Sequence, residues 1–421
     1  MTAKVLLIEL NEFNRELLEQ AAYELNLPHI QKILHWYRSD TLTQDTYESD
    51  FLEPWVQWVC VHTGLPSSQH HIKHLGDIPN LQTEQLWQHL SKKGFTSGIW
   101  GAMNANRADS PLNQFFLPDP WTASEHAYPA ELNAILTPLR YFSQNYTNRS
   151  WKASFQAFKE LIRFLKKHRI PFMQEIPALL KNAIRFKAKA FVFISFIEYL
   201  STLLFLKYRQ RYQPDFSLIF LNSLAHLQHH HWKADRISEP LAYGFRYLDR
   251  MMGHLLAEEG IILMTNALSQ KNTNEEKPWI LYRQIDQAHF LKTIGVQCER
   301  VEPLMTHDAL LFFASAQLCQ QAKQTLESAN LCGQKLFLVE SYPQDPQKLF
   351  YRILFTDEVP DHQTFIVQGQ HYPFFKLFKP IVRRTGKHIP QGTLYCNIQK
   401  IPPVLKNHEI FKEISAFFHN S

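Results

Sequence analysis

The chain has 421 residues, 45% of them apolar and 20% charged, a balance that supports a large core and excludes a globally disordered or fibrous chain. Its five cysteines, Cys60, Cys298, Cys319, Cys332 and Cys396, are scattered and form no C-x-x-C pair, so no disulfide framework is expected. The net charge of +5 hides an asymmetry: residues 151–212 hold 13 Lys/Arg against 3 Asp/Glu, and the rest of the chain is mildly acidic.

Residues 4–10 (KVLLIEL) form an apolar run too short for a secretion-signal core and interrupted by Glu9. The run predicts a buried strand and, by default, a cytoplasmic protein. The N-x-[ST] sequons at Asn145 and Asn148 then read as polar loop sequence. Asn11 is positioned to cap a helix over Glu12–Leu25, where Leu17, Leu18 and Ala21 recur at helical spacing. The strand-then-helix pattern returns with a helix over 81–93 and a strand over 95–100. It returns again with a strand over 215–221, a helix over 241–259 and a strand over 260–265, which together predict a doubly wound α/β core. Residues 151–212 predict two or three basic helices interrupted at Pro171 and Pro177. Residues 277–380 predict a smaller α+β unit with a helix over 314–329 and strands over 335–340 and 349–356. The expected domains are a core made of 1–150, 213–276 and 381–421, a basic helical insertion at 151–212, and an α+β subdomain at 277–380.

The stretch 190–206 (AFVFISFIEYLSTLLFL) contains Glu198 and falls short of the ~20 apolar residues a membrane span wants. Two readings remain open. One is a helix buried against the body. The other is an interfacial helix, flanked by Lys187, Lys189, Lys207, Arg209 and Arg211, lying on an anionic membrane surface at the inner membrane face.

The chain has no G-x-G-x-x-G, no P-loop, no G-x-S-x-G elbow and no H-E-x-x-H, which excludes the common dinucleotide, nucleotide, serine-hydrolase and zincin sites. The basic segment carries no nucleic-acid motif, and no nucleic-acid partner is expected. What remains is a set of polar residues at strand ends, where open α/β sheets bind ligands: Glu9 and Asn11, Asn222, Asn266, and Asn104 and Asn106 after the 95–100 strand. After Asn222 comes S-L-A-H-L-Q-H-H-H-W, which on a helix places His226, His229 and His230 on one face, a spacing that suits metal or phosphate binding and equally a solvated helix start. Asp119 sits in the rigid turn F-L-P-D-P-W. Cys60 lies in an apolar run and reads as core.

A second cluster, E-P-W-V-Q-W-V-C-V-H-T-G-L-P-S-S-Q-H over 53–70, follows L-P-H-I-Q-K-I-L over 27–34. With the His-rich segment at 223–231 and a late loop over 385–393 that carries G-K-H-I-P-Q-G, the order of features resembles the alkaline phosphatase-like hydrolases. The likeness is to the type I phosphodiesterase/nucleotide pyrophosphatase branch and its divergent relatives in bacterial surface-polysaccharide clusters. That resemblance implies an α/β/α sandwich and metal-assisted chemistry on a phosphate ester. Its first metal-binding acid falls on Glu9 and its late metal histidine on His388. Its D-x-x-x-H pair falls on Ala225 and His229, keeping only the histidine, and its S-D-H-G motif falls on Asn266–Ser269, losing both ligands. Its nucleophile falls on Pro54, which has no nucleophilic atom.

The resulting expectation is a divergent metal-assisted hydrolase or transferase. Glu9, His226, His229 and His388 would hold one divalent metal, Zn or Mn. Glu9, Glu53, Gln57 and Asn222 would be catalytic, and Asn11, Asn104, Asn266 and Lys387 would bind a phosphate- or glycan-containing small substrate, such as a surface-polysaccharide or lipid-linked glycan intermediate. The rival reading is an accessory binding protein that keeps the fold without catalysis.

Overall fold

The computed structural model describes residues 4–46, 51–108, 110–145, 147–148, 150–398 and 401–418. The chain divides into two compact units, one comprising residues 1–137, 159–273 and 385–421, the other 138–158 and 274–384.

The first unit is built on an eight-stranded sheet. Its strands are β1 (Val5–Leu10), β2 (Tyr37–Leu42), β3 (Ser97–Trp100), β4 (Asn113–Leu117), β5 (Phe216–Leu221), β6 (Ile261–Thr265), β9 (Gln391–Cys396) and β10 (Val404–Lys406). A separate hairpin pairs β7 (Ser269–Asn272) with β8 (Gly386–Ile389). The sheet order is β10-β2-β9-β6-β1-β5-β3-β4. β1 lies between β5 and β6 and is parallel to both, with Glu9 opposite Phe220 and Thr265. The apolar runs read as strands over 4–10, 215–221 and 260–265 are therefore neighbours in the sheet, and they end at one edge. All six residues of β1 are buried, as a parallel strand requires when both sheet faces are covered. β9 runs antiparallel to β2 and β6 and makes the sheet mixed.

The helices used below are α1 (Arg15–Glu24), α2 (Pro28–Leu34), α3 (Pro54–Thr63), α4 (Leu86–Lys92), α5 (Trp151–Lys167), α6 (Ile176–Arg185), α7 (Ala190–Tyr212), α8 (Ser223–His231), α9 (Glu239–Leu255) and α10 (Ile410–Ala416). One packed set contains α1, α2, α7, α8 and α9, and another contains α3, α4 and α10. Pro177 begins α6 rather than breaking it, consistent with a first-turn proline whose missing N–H has no helical partner to lose. α1 starts later than expected. Asn14, not Asn11, is its cap and accepts from the Leu17 amide at 2.8 Å. The reason is Glu12, whose φ of 55° interrupts the chain before helical geometry can begin. The expected loop over 385–393 is likewise mostly strand, taken up by β8 and β9.

α7 is long and apolar enough by composition to cross a membrane, with a mean hydropathy of 1.7 and half of that window buried. Its one carboxylate explains its position. Glu198 accepts hydrogen bonds from the Asn222 and Ser223 amides at 2.5 and 2.9 Å and from the Ser223 hydroxyl. It thereby supplies the N-terminus of α8 with the acceptors that the helix itself lacks. Burial pushes the Glu198 carboxyl up while these three donors pull it down. Val192, Phe196, Tyr199, Leu204 and Phe205 are buried and only Phe193 and Ile194 reach 38% exposure, so this face of the apolar run is core.

The second unit has a four-stranded antiparallel sheet ordered Phe337–Tyr342, Asp345–Ile353, Asp308–Phe312, Arg300–Pro303. The helix Ala316–Glu327 is capped by Ser315. Phe290, Phe337, Phe365, Phe374 and Phe378 form its aromatic core. The helix falls within the expected 314–329, while the strands expected over 335–340 and 349–356 stand at Phe337–Tyr342 and Asp345–Ile353.

Candidate metal centre

The carboxyl edge of the sheet brings three side chains from distant segments to one point. Glu12, two residues beyond β1, is buried, and its Oε2 lies 2.9 Å from His229 Nε2 and 3.0 Å from His388 Nε2. The two rings have centroids 5.2 Å apart. α8 carries His229 and β8 carries His388. β8 reaches the site because it pairs with β7, His388 opposite Gln270.

Local contacts hold the acid in place. Its carbonyl accepts from Gln228 Nε2 at 2.9 Å. Its Oε1 accepts from Asn11 Nδ2 at 2.8 Å, and Oε2 accepts from Gln270 Nε2 at 2.6 Å. Each imidazole is oriented from behind. His229 Nδ1 donates to the Gly386 carbonyl at 3.0 Å, and His388 Nδ1 donates to the Leu52 carbonyl at 3.1 Å. A carbonyl can only accept, so both Nδ1 atoms carry protons, and each ring turns toward the Glu12 carboxylate an Nε2 that is a lone-pair donor once its own proton is gone.

Three electron-rich atoms therefore converge, and only a cation relieves their repulsion. Without a metal that cation is a proton. Burial lowers His388, but the Glu12 charge and then Glu53 outweigh it and hold the ring at about 10. Burial raises Glu12, but His388 and His229 bring it well below its usual 4.5. Two imidazoles with backbone-bonded Nδ1–H groups plus one carboxylate form a donor set suited to Zn or another borderline divalent ion. The ligand atoms of Glu12, His229 and His388 all lie within 4.8 Å of one another. These residues fit a metal.

Gly386 is required by close approach. A Cβ there would stand 2.1 Å from Gln270 Oε1 and 3.0 Å from the Gln228 carbonyl, both on residues that hold Glu12. Gly386→Ala is expected to weaken metal binding by roughly 10–100-fold, as loss of a ligand-orienting partner does, with the melting temperature little changed. Calorimetric metal titration beside a thermal melt checks it.

The other sequence-selected residues divide clearly. Glu9 does not join the cluster. It is fully buried and paired at 2.7 Å with His62 of α3, so the acid between the imidazoles is Glu12. Glu53 stands at the site's mouth, its Oε2 3.4 Å from His388 Nδ1 and 27% of its side chain exposed. Asn11 and Asn222 are joined at 2.8 Å, Asn11 also accepting from Trp58 Nε1, and Asn222 Nδ2 lies 3.3 Å from His226 Nε2. His226 is adjacent to the cluster but outside the ligand set, and burial lowers it to about 4, which keeps it neutral.

Gln57 and two of the asparagines are structural. Gln57 bonds Thr43, Asp45, the Phe51 carbonyl and Asn407. Asn104 bonds the Gly76 amide and the Trp55 and His74 carbonyls. Asn266 latches the Phe13 carbonyl and the Thr393 amide. None of the three has a polar atom left for substrate. Lys387 precedes His388 on β8, and strand alternation sends it to the opposite face. Asp119 accepts from the Asn104, Trp121 and Thr122 amides and the Thr122 hydroxyl, so it too is structural. Cys60 has a ring nearby after all, His70 Nε2 at 3.3 Å, but burial pushes the thiol far up and leaves it unreactive.

Sequence reasoning missed Glu12, Gln228 and Gln270. The one available signal was a second acid just past the strand end in E-L-N-E, which was absorbed into the expected helix.

No protein-family model and no curated protein matches the chain. Among solved structures it is similar to phosphonoacetate hydrolase from Sinorhizobium meliloti 1021 in complex with phosphonoformate, at 11% identity and a TM-score of 0.47 over 99% of this chain and 96% of that one. It is also similar to human ectonucleotide pyrophosphatase/phosphodiesterase 5, at 11% identity and 0.42 over 99% and 95%. A mutant of the alkaline phosphatase PafA is similar at 9% identity and 0.47 over 100% and 96%.

Proposed function

We propose that this protein is a single-metal phosphoester hydrolase or transferase of alkaline phosphatase-like type, with the ion held by Glu12, His229 and His388. The observation that carries this is the convergence of one carboxylate and two Nε2 lone pairs at the carboxyl edge of the sheet, with each imidazole oriented by a backbone carbonyl. A bound divalent ion there supplies Lewis acidity toward a phosphoryl oxygen. The order of motifs supports a phosphate ester as substrate, and a phosphate-linked glycan intermediate is the form that the sequence resemblance implies.

The chain's own residues then have distinct work. With Pro54 where the family nucleophile would stand, the attacking group is water or a substrate hydroxyl. Glu53, partly exposed beside His388, takes its proton. Gln270 and Asn11 keep Glu12 from rotating away.

The test is to titrate metal-free protein, without a histidine tag, with Zn²⁺ and Mn²⁺ and to assay bis(p-nitrophenyl) phosphate and p-nitrophenyl phosphate. One ion per chain is expected, with turnover of at least one ester and parallel loss of both in His388→Ala. Stoichiometric metal without turnover of either ester would assign the chain to the accessory binding role, and absence of metal binding would overturn the centre itself.

A further inference from the structure

We propose that α6 and the groove between it and α9 form a docking surface for an anionic phospholipid bilayer. α6 has no buried residue along its length. It presents Leu180 and Ile184, one turn apart on one face, at 58% and 81% exposure, and Met173 just before it is 63% exposed. Single exposed apolar residues are ordinary, but an aligned pair on a helix that buries nothing is not explained by packing.

The charge along the segment that carries this pair has one sign. Lys181, Arg185, Lys187 and Lys189 are all exposed, and residues 176–189 contain no acid. Beside them lies a groove of about 500 Å³ lined by Arg185, Phe186, Tyr243, Arg246, Tyr247 and Arg250. Arg185 is held by Glu239 at 3.2 Å and Arg250 by Glu175 at 2.6 Å. Among the described residues no acid pairs with Arg246; its Nη1 donates to the Ala242 carbonyl at 3.4 Å, and the rest of the guanidinium is left for a lipid phosphate.

Aliphatic side chains ringed by long basic ones fit the headgroup–acyl boundary, where the apolar atoms insert and the cations reach outward to phosphate. α5 repeats the pattern by itself, with Trp151, Phe155 and Phe158 at 85%, 62% and 54% exposure on one helical stripe, interleaved with Lys152 and Lys159. The core face of α7 is not needed for this contact. The bilayer is met by the exposed face of α6, not spanned by α7.

Co-sedimentation of the full chain with vesicles of phosphatidylcholine, alone or mixed with phosphatidylglycerol, tests this independently of the metal centre. Binding is expected only with phosphatidylglycerol and is expected to weaken with salt. Each basic residue near such a surface is worth about five-fold, so Lys181→Gln with Lys187→Gln should lower the partition roughly 25-fold. Leu180→Ser with Ile184→Ser should lower it more than about ten-fold, and both pairs should leave metal affinity unchanged. Failure to bind phosphatidylglycerol vesicles, equal binding to both lipids, or binding that survives both pairs would overturn the proposal. Displacement by soluble glycerol phosphate would assign the groove to a free phosphate ester. A dimer dissolved by Leu180→Ser/Ile184→Ser would assign the face to a second copy. Either result would also overturn the bilayer.

Discussion

Glu12→Gln is expected to abolish metal binding and phosphoester turnover together, while Glu9→Gln leaves the metal affinity within a few-fold of wild type. Glu9 lies inside β1 and Glu12 two residues beyond it, and both are buried. Only Glu12 reaches the two imidazoles, at 2.9 and 3.0 Å. The amide keeps the shape and the bond to Asn11 but removes the charge that three converging donors require. The loss should exceed the ~10–100-fold that follows removal of a ligand's outer partner. Calorimetric titration with Zn²⁺ gives the affinity and the bis(p-nitrophenyl) phosphate assay gives the rate. If Glu9→Gln proves the more damaging of the two, the ligand assignment is wrong.

His62→Ala is expected to destabilise the fold by about 3–5 kcal/mol, as breaking a buried acid–imidazole pair by removing one partner does. Glu9 and His62 are 0% and 1% exposed and meet at 2.7 Å, with the His62 ring flanked by Trp58 and Trp87. Burial already raises the Glu9 carboxyl above its ordinary 4.5 and His62 pulls it back. Removing His62 raises it further. A carboxyl raised in the folded state binds its proton more tightly there than in the unfolded chain, so it favours folding below 4.5 and loses that contribution as pH rises. His62→Ala should therefore show its deficit at neutral pH and recover part of it in acid. The Glu9→Leu/His62→Leu double variant should recover most of the stability, because a buried pair replaced by apolar side chains is often neutral. Urea unfolding at two pH values reads all three. A His62→Ala cost below about 1 kcal/mol would mean that the pair carries little of the fold.

Much of the core was legible because buried parallel strands announce themselves. VLLIEL, FSLIFL and IILMT are each apolar but for one residue, a pattern that suits a sheet covered on both faces. Their polar followers then had to lie at one edge. His229 and His388 were legible as residues, each on a segment feeding that edge, although the hairpin carrying His388 read as loop because K-H-I-P-Q-G lacks an alternating apolar pattern.

The carboxylate was not legible, because its role depends on a backbone conformation. Glu12 meets the histidines only because the chain turns at a φ of 55° and Gln228, 216 residues away, holds its carbonyl. Nothing local distinguishes it from a first-turn helical glutamate, a common place for an acid. Gln57, Asn104 and Asn266 failed in the opposite direction. Polar residues at strand ends attract a ligand reading, and only their long-range partners show that their hydrogen-bonding capacity is already spent within the protein.

The apolar run in 190–206 belongs to the same lesson. By itself the sequence determined which segments must be buried, which edge gathers the polar residues, and that residues 151–212 are basic and helical, because periodicity and charge are local properties. Tertiary structure alone decided which acid faces the imidazoles, which amides are already satisfied, and that Glu198 caps α8 while α5 and α6 keep apolar side chains exposed. Each of those outcomes depends on a contact between residues that only the folded chain brings together.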